Sequence, residues 1–222
     1  MPTPVVYERL LQFPLFKGMG HADLTQIVAH TKFSFEKYDK DKRVIKAGEA
    51  CHRLYFLTHG TLQVTTVSET GDYRLREVVN APYTLQQECL FGMPQRFRST
   101  FTALTPVNFI VLDKKEVTTL FNDFFVFRLN ALSIISSALQ MERMAVWNDN
   151  PASLRQHIVD FMKRRCEIPT GEKTFHILMS QLALYVNDSR LDVSRELNRM
   201  QQEGLVSLSR GQIRVPDIGM LV

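Results

Sequence analysis

The hydrophobic period of this chain changes twice, and those changes leave few folds open. From Lys32 to about Asp113 apolar residues recur with a period near two, in short runs such as RLYFL, LQVTTV, LREVV and FIVLD. Gly48, Gly60, SETGD and Pro82 separate the runs. Many short strands with turn signals at regular spacing imply an all-β barrel or sandwich. Ahead of them, residues 6–31 hold short helical repeats around PLFKGMG, with Leu24, Ile27 and Val28 following Asp23 at helical spacing. After KKEV the period turns helical and stays so to Trp147.

That helical stretch carries two apolar stripes. One runs Phe124, Phe127, Ala131, Ile134, Ala138, Met141, Ala145, and the second includes Leu132, Ile135 and Leu139. A helix apolar on two stripes has two surfaces to bury, one against its own domain and one against a second copy of the chain. The alanines of the first stripe permit close approach of a partner helix, so Phe127, Ala131, Ile134, Ala138 and Met141 are the expected dimer seam. Burial of the helix within one large core is the alternative. NDNP, Asn148 to Pro151, then breaks the helix, because proline disfavours helical geometry in the residue before it; this marks a hinge and domain boundary.

Beyond the hinge the order is distinctive. A helix over 154–165 buries Ile158, Phe161 and Met162. Ser180 is placed to cap a helix containing QLALYV, NDS makes a tight turn, and a helix follows over 190–202. Asn187 sits where the turn needs a residue tolerant of positive φ. Two short helices joined this tightly form a helix-turn-helix. In the second of them Val193, Leu197 and Met200 face inward, while Leu191, Ser194, Arg195, Asn198 and Gln202 lie opposite, with Arg199 toward one edge and Arg190 at the N-terminal end. Arginine suits guanine O6/N7, asparagine or glutamine suits adenine, and N-terminal residues of a recognition helix meet base edges. The strands LVSLS and QIRV around Arg210-Gly211 form a wing able to reach phosphate. A plain solvated face is the bland alternative, and the order of elements argues against it. Ser180, Ser189, Arg190, Leu191, Ser194, Arg195, Asn198, Arg199 and Arg210 are therefore the expected DNA-binding residues.

Bulk composition excludes more than it assigns. The net charge of +4 divides almost evenly about Pro151: 17 basic and 15 acidic residues precede it, 10 and 8 follow. Charge alone thus does not single out a nucleic-acid binder. Three scattered cysteines, Cys51, Cys89 and Cys166, argue against a disulfide framework, and no histidine or cysteine spacing marks a metal site. There is no signal-peptide pattern and no apolar run near the ~20 residues of a membrane span. A cytoplasmic protein with no membrane association is expected. No nucleophile elbow or P-loop is present, so an enzyme is not expected.

The combination resembles the Crp/Fnr family of bacterial transcription regulators along almost the whole chain. PLFKGMGHADL is similar to the family's opening helical segment, GEACHRLYFLTHGTLQV to its glycine-punctuated strands, and SRLDVSRELNRMQQEGLV to its recognition helix and wing. The resemblance implies a homodimer on a palindromic double-stranded DNA operator, acting with RNA polymerase. Arg190 and Arg195 match base-contacting positions, whereas Leu191 stands where many members carry Glu. Leucine offers only apolar contact, for instance to a thymine methyl, so a different half-site is expected.

The resemblance also implies a phosphate-binding cassette within LQQECLFGMPQRFRSTFTA. Glu88 and Arg98 stand ten positions apart, followed by Ser99 and Thr100. A carboxylate can accept ribose hydroxyl protons, and a guanidinium can bind a phosphodiester through two parallel hydrogen bonds. Gln87 departs from the family's usual Gly, and the base-reading Thr-Ser pair is missing from the long helix, where Met141 and Glu142 stand. Gln87, Glu88, Arg98, Ser99 and Thr100 are the expected effector site, with a cyclic nucleotide or another small anion as ligand. The alternative is an ion pair closing a degenerate cassette. The expected fold is α+β: residues 1–117 a cyclic-nucleotide-binding-type β-barrel (jelly roll), 118–150 a dimerisation helix and hinge, and 151–222 a winged helix-turn-helix.

Overall fold

In the computed structural model, residues 3–147 and 153–221 are described. The helices α1 (Thr3–Leu10) and α2 (His21–His30) precede eight strands: β1 (Ser34–Tyr38), β2 (Arg43–Ile45), β3 (Arg53–His59), β4 (Thr61–Val67), β5 (Tyr73–Asn80), β6 (Tyr83–Leu85), β7 (Ser99–Ala103) and β8 (Val107–Asp113). Then come α3 (Lys114–Asp123), α4 (Phe125–Trp147), α5 (Leu154–Lys163), β9 (Lys173–Ile177), α6 (Met179–Val186), α7 (Arg190–Gln202), β10 (Ser207–Ser209) and β11 (Gln212–Val215). The NDNP hinge, Asn148 to Pro151, lies outside the described residues.

The chain forms two compact units whose border differs from the boundaries at 117 and 150 expected from sequence. One holds the N-terminal helices, the sheet β1-β8-β3-β6, and α3 and α4. The other joins Gln63–Val79 and Ser99–Phe101 to the C-terminal part of the chain. The fold is α+β as expected, but the strands lie in two sheets rather than in a closed barrel.

In the first unit, β8 pairs antiparallel with both β1 and β3, and β6 pairs with the far edge of β3. Phe56, Leu57, Ile110 and Leu112 are buried, as in a sheet covered on both faces. Gly60 makes the sharp turn between β3 and β4. Its φ is +91°, and a Cβ there would lie 2.4 Å from the Pro106 carbonyl oxygen, so only glycine fits. The helical stretch after β8 is not continuous. Phe124 takes extended geometry (φ −120°, ψ 105°), and α3 and α4 meet at a bend of 111°. Phe124 therefore drops out of the α4 stripe. Among the described residues no single helix is long and apolar enough to cross a membrane.

α4 corrects the stripe assignment. Phe127 is fully buried against the rings of Phe16 (5.2 Å) and Phe121 (5.5 Å), and Ala131 is buried too. Asn130 Nδ2 donates to the Leu15 and Lys17 carbonyls at 3.0 and 2.8 Å, fixing the helix rotation. Phe127 and Ala131 thus face their own domain and have no surface to offer a partner. Ile134 is half-buried, while Ala138 and Met141 are exposed. The large apolar side chains left in water are Phe125, Leu129, Leu132, Ile135, Leu139, Met141 and Met144.

In the second unit the sheet runs β10-β11-β9-β5-β4-β7, all pairs that involve β9 being antiparallel. Its core gathers α5 (Ile158, Met162), α6 (Leu182, Val186), α7 (Val193, Leu197, Met200), Phe175 on β9, and Leu75 on β5. The strand β9 was not foreseen from sequence; KTFHI is short, and a lysine occupies one of the three positions on its buried face.

Candidate nucleic-acid interface and effector site

The helix-turn-helix is built from local rules. Asn187 takes the left-handed conformation (φ 52°, ψ 49°) that ends α6, as its position in the turn predicts. Ser189 then caps α7: its Oγ accepts the Asp192 N–H at 3.0 Å and donates to Asp192 Oδ2 at 2.6 Å. That hydrogen bond, with Arg195 beside it, holds the Asp192 carboxyl below the usual range. Ser189 thus starts α7, which spans the expected residues 190–202. Ser180 does not cap α6. Leu178 occupies the cap position and Ser180 sits exposed in the first turn, because the helix begins two residues earlier than QLALYV suggests.

α7 turns Val193, Leu197 and Met200 fully inward. Arg190, Leu191, Arg195, Asn198 and Arg199 are exposed and Ser194 is half-buried, so α7 leaves three guanidinium groups, an amide and one leucine in solvent, with Arg190 at its N-terminal end. The helix is clamped from behind. Arg155 on α5 donates to Glu196 at 2.6 Å and, through two nitrogens, to Glu203 at 2.6 and 2.8 Å. These bonds push the Arg155 pKa well above its ordinary value and lower that of Glu203. Arg195 and Arg199 make longer contacts within the helix, 3.2 Å to Asp192 and 3.4 Å to Glu196. Such exposed pairs contribute little to stability. The wing follows. β10 and β11 pair around a two-residue turn, with Arg210 exposed at its tip and Gly211 at φ 68°. Arg214 on β11 is held by Glu172 in a two-pronged pair at 2.9 and 2.6 Å, which lowers the Glu172 pKa.

The effector residues divide. Glu88 lies in a short helical turn, Gln87–Leu90, and Arg98 Nη2 approaches its Oε1 at 3.4 Å, both side chains more than half exposed. A pair so long and so wet contributes about 0–1 kcal/mol. The neighbouring Gln86, absent from the sequence expectation, is buried with φ 33°, and its Oε1 accepts the Arg98 N–H at 2.9 Å. Gln86 fixes where Arg98 starts. Gln87 instead lines a small apolar cavity of about 40 Å³ with Leu15, Leu54, Phe91 and Phe127. Ser99 is fully buried on β7, its Oγ 2.7 Å from Thr66 Oγ1 on β4, and Thr100 is half-buried. Behind the cassette, burial and the neighbouring Cys89 and Glu88 raise the Cys51 thiol to about 11, which leaves it protonated and unreactive.

Two further residues escaped the sequence reading. Glu77 on β5 and Lys173 on β9 face each other in the ladder, both almost wholly buried, with Nζ 3.1 Å from Oε1. The signal was available: Leu75, Glu77 and Val79 share a strand face, as do Lys173, Phe175 and Ile177, so each strand carries one charge on an apolar face.

Known proteins match this arrangement. Residues 35–124 fit the model of the cyclic nucleotide-binding domain, and residues 154–222 that of the Crp-like helix-turn-helix domain. No curated protein matches by sequence search. Among solved structures, the catabolite activator protein of Thermus thermophilus is similar over 94% of this chain and 96% of its own, with 17% identity and a TM-score of 0.53. The sensor domain of the regulator DNR from Pseudomonas aeruginosa covers 63% of this chain and 92% of its own (21% identity, TM-score 0.54). A Crp/Fnr-family regulator from Eubacterium rectale covers 95% and 96% (18% identity, TM-score 0.52). At such identities the likeness is one of fold. With a cyclic nucleotide-binding domain and a Crp-like helix-turn-helix in this order on one chain, the protein belongs to the Crp/Fnr family of DNA-binding transcription regulators.

Proposed function

We propose that the chain works as a homodimer that reads a palindromic operator and is switched by a small anionic effector at the Glu88–Arg98 cassette. The observation that carries this reading is the face of α7: its apolar side is locked by the core and by Arg155, while Arg190, Arg195, Asn198 and Arg199 stand in solvent beside the wing arginine Arg210. Arginine and asparagine on an N-terminal helix face read base edges, and a wing arginine neutralises phosphate. Two such helices require two chains. The exposed stripe Leu132, Ile135 and Leu139 on α4 is the apolar surface that a second copy would cover. The reading extends to contact with RNA polymerase in the cytoplasm. In the cassette, Arg98 would take the charge of a phosphodiester and Glu88 the hydroxyls of a ribose.

A second reading is a constitutive regulator with a degenerate sensor, favoured by the Glu88–Arg98 contact and by Gln87 where the family usually has glycine. The test is anisotropy of the purified protein on a duplex selected from a random palindromic library, over a salt series, with and without cyclic AMP. Tight, salt-dependent binding that cyclic AMP strengthens at least tenfold in wild type but not in Arg98→Ala supports the switched regulator. Equal binding in both conditions favours the constitutive one. Absence of preference over random DNA overturns sequence-specific reading by α7.

A further inference from the structure

The compact unit that carries the helix-turn-helix also contains the β4–β5 hairpin, and the chemistry of their junction explains why. β9 pairs with β5 over five residues, from Tyr73↔Ile177 to Glu77↔Lys173. Leu75, at the centre of that ladder, is buried in the same core as Phe175, Leu182, Val193 and Leu197. The hairpin thus supplies a core residue to the DNA-binding fold. At one end Glu77 accepts the backbone N–H groups of Glu167 and Ile168 at 3.1 and 3.3 Å and forms an ion pair with Lys173, whose Nζ lies 3.1 Å from its Oε1. At the other, Asp72 accepts from Gln181 Nε2 and Tyr185 Oη, both at 3.2 Å. Between them Arg165 stacks on Phe161, its guanidinium carbon 3.8 Å from the ring centre, and donates to Tyr73 Oη at 2.9 Å.

A buried ion pair gives little net stability, but removing one partner leaves a desolvated charge. Its strength is geometric: Glu77 and Lys173 tolerate only the register that sets them opposite each other. A one-residue slip of β9 against β5 would place the two side chains on opposite faces of the sheet and leave each without its partner. Here the pair specifies how the hairpin sits on β9. The hairpin's other strand, β4, carries Thr66, whose hydroxyl is bonded to that of Ser99 next to the cassette arginine.

We propose that the β4–β5 hairpin is a rigid part of the DNA-binding body, locked in register by Glu77 and Lys173, and that it links the Ser99 end of the cassette to the fold holding α7. The DNA-binding domain is then not suspended from the connection after α4 alone. A displacement at Ser99 pulls on β4, and β5 carries it into the core beneath the recognition helix. The link to the effector rests on the function proposed above; the rigid body does not.

Two experiments on the full-length protein test it. In the first, Arg76→Cys and Thr174→Cys, directly opposed in the ladder with Arg76 exposed and Thr174 half-buried, are combined with Cys166→Ser. The disulfide is expected to form readily on mild oxidation, and the oxidised protein to bind the selected duplex within threefold of the reduced protein. Failure to cross-link, or a tenfold or greater loss of affinity reversed by reductant, overturns the proposal. In the second, Glu77→Lys and Lys173→Glu are made singly and together, and urea unfolding of the C-terminal core is followed. The exchange should recover at least half of the midpoint lost by the single variants, and no recovery overturns the locking role. If the reduced cysteine variant and wild type bind no selected duplex, the DNA-reading function fails, whereas cross-linking and charge exchange still decide the rigid body.

Discussion

Phe127→Ala and Leu132→Ala sit five residues apart on α4 and should damage two different equilibria. Phe127 is fully buried and makes ring contacts with Phe16 and Phe121. Truncation forfeits the transfer energy of a benzyl group and leaves a cavity, about 3–5 kcal/mol for a buried phenylalanine. Ring geometry accounts for roughly 0.5–1.5 kcal/mol per contact within that figure. With a urea slope of about 2 kcal/mol/M, the unfolding midpoint should fall by roughly 1.5–2.5 M. This loss arises inside one chain, so it should not change with protein concentration. Leu132 is 55% exposed in the single chain. Full burial of a leucine stabilises by about 1.5–3 kcal/mol, so truncation costs the folded chain only about 1 kcal/mol. The remaining surface becomes buried only in a dimer, once from each copy. Together the two copies lose about 1.5–3 kcal/mol of association energy, which raises the dimer dissociation constant roughly ten- to hundredfold. Sedimentation equilibrium reads the association, and urea melts at two protein concentrations read the folding. If Phe127→Ala instead loosened the dimer at an unchanged midpoint, the assignment of the two helix faces would be wrong.

Two other expectations follow from the second unit. Leu75→Ala should cost about 2–4 kcal/mol in urea unfolding, whereas Val78→Ala on the same strand, 40% exposed, should stay within about 0.5 kcal/mol; equal effects would remove β5 from the core. His176 on β9 has its pKa lowered from 6.5, first by burial and then by Arg76 and Arg74. A histidine with a depressed folded pKa binds fewer protons folded than unfolded, so its contribution is fully present above pH 6.5 and declines as pH falls below it. Urea midpoints at pH 5.5 and 7.5 should therefore differ less in His176→Gln than in wild type, and an unchanged difference would count against that origin.

The parts legible from sequence are those governed by near neighbours. The bounds of α7, the left-handed Asn187 and the inward triad Val193, Leu197 and Met200 all follow from spacing along one helix and its cap. The glycine turn at Gly60 is similar: its local φ is decided by a residue type, even though the contact with Pro106 is not visible in the string. The exposed arginines could be read for the same reason, since a helix with one face fixed has its other face fixed as well.

What required the tertiary structure depends on partners far away in the chain. α4 shows two apolar stripes that look equally good in sequence, and only Phe16, Phe121 and the Asn130 hydrogen bonds decide that Phe127 turns inward and Leu132 outward. Glu77 and Lys173 are separated by nearly a hundred residues, and each alone is an ordinary charge in a short strand. Their meaning arises when β9 pairs with β5 and removes both from water together. By itself the sequence determined most of the helices and strands and which face of α7 leaves arginine in solvent, because those choices are settled by backbone preferences and period. The tertiary structure alone decided which body the β4–β5 hairpin belongs to, because burying a charge pair requires both members to be present at one place.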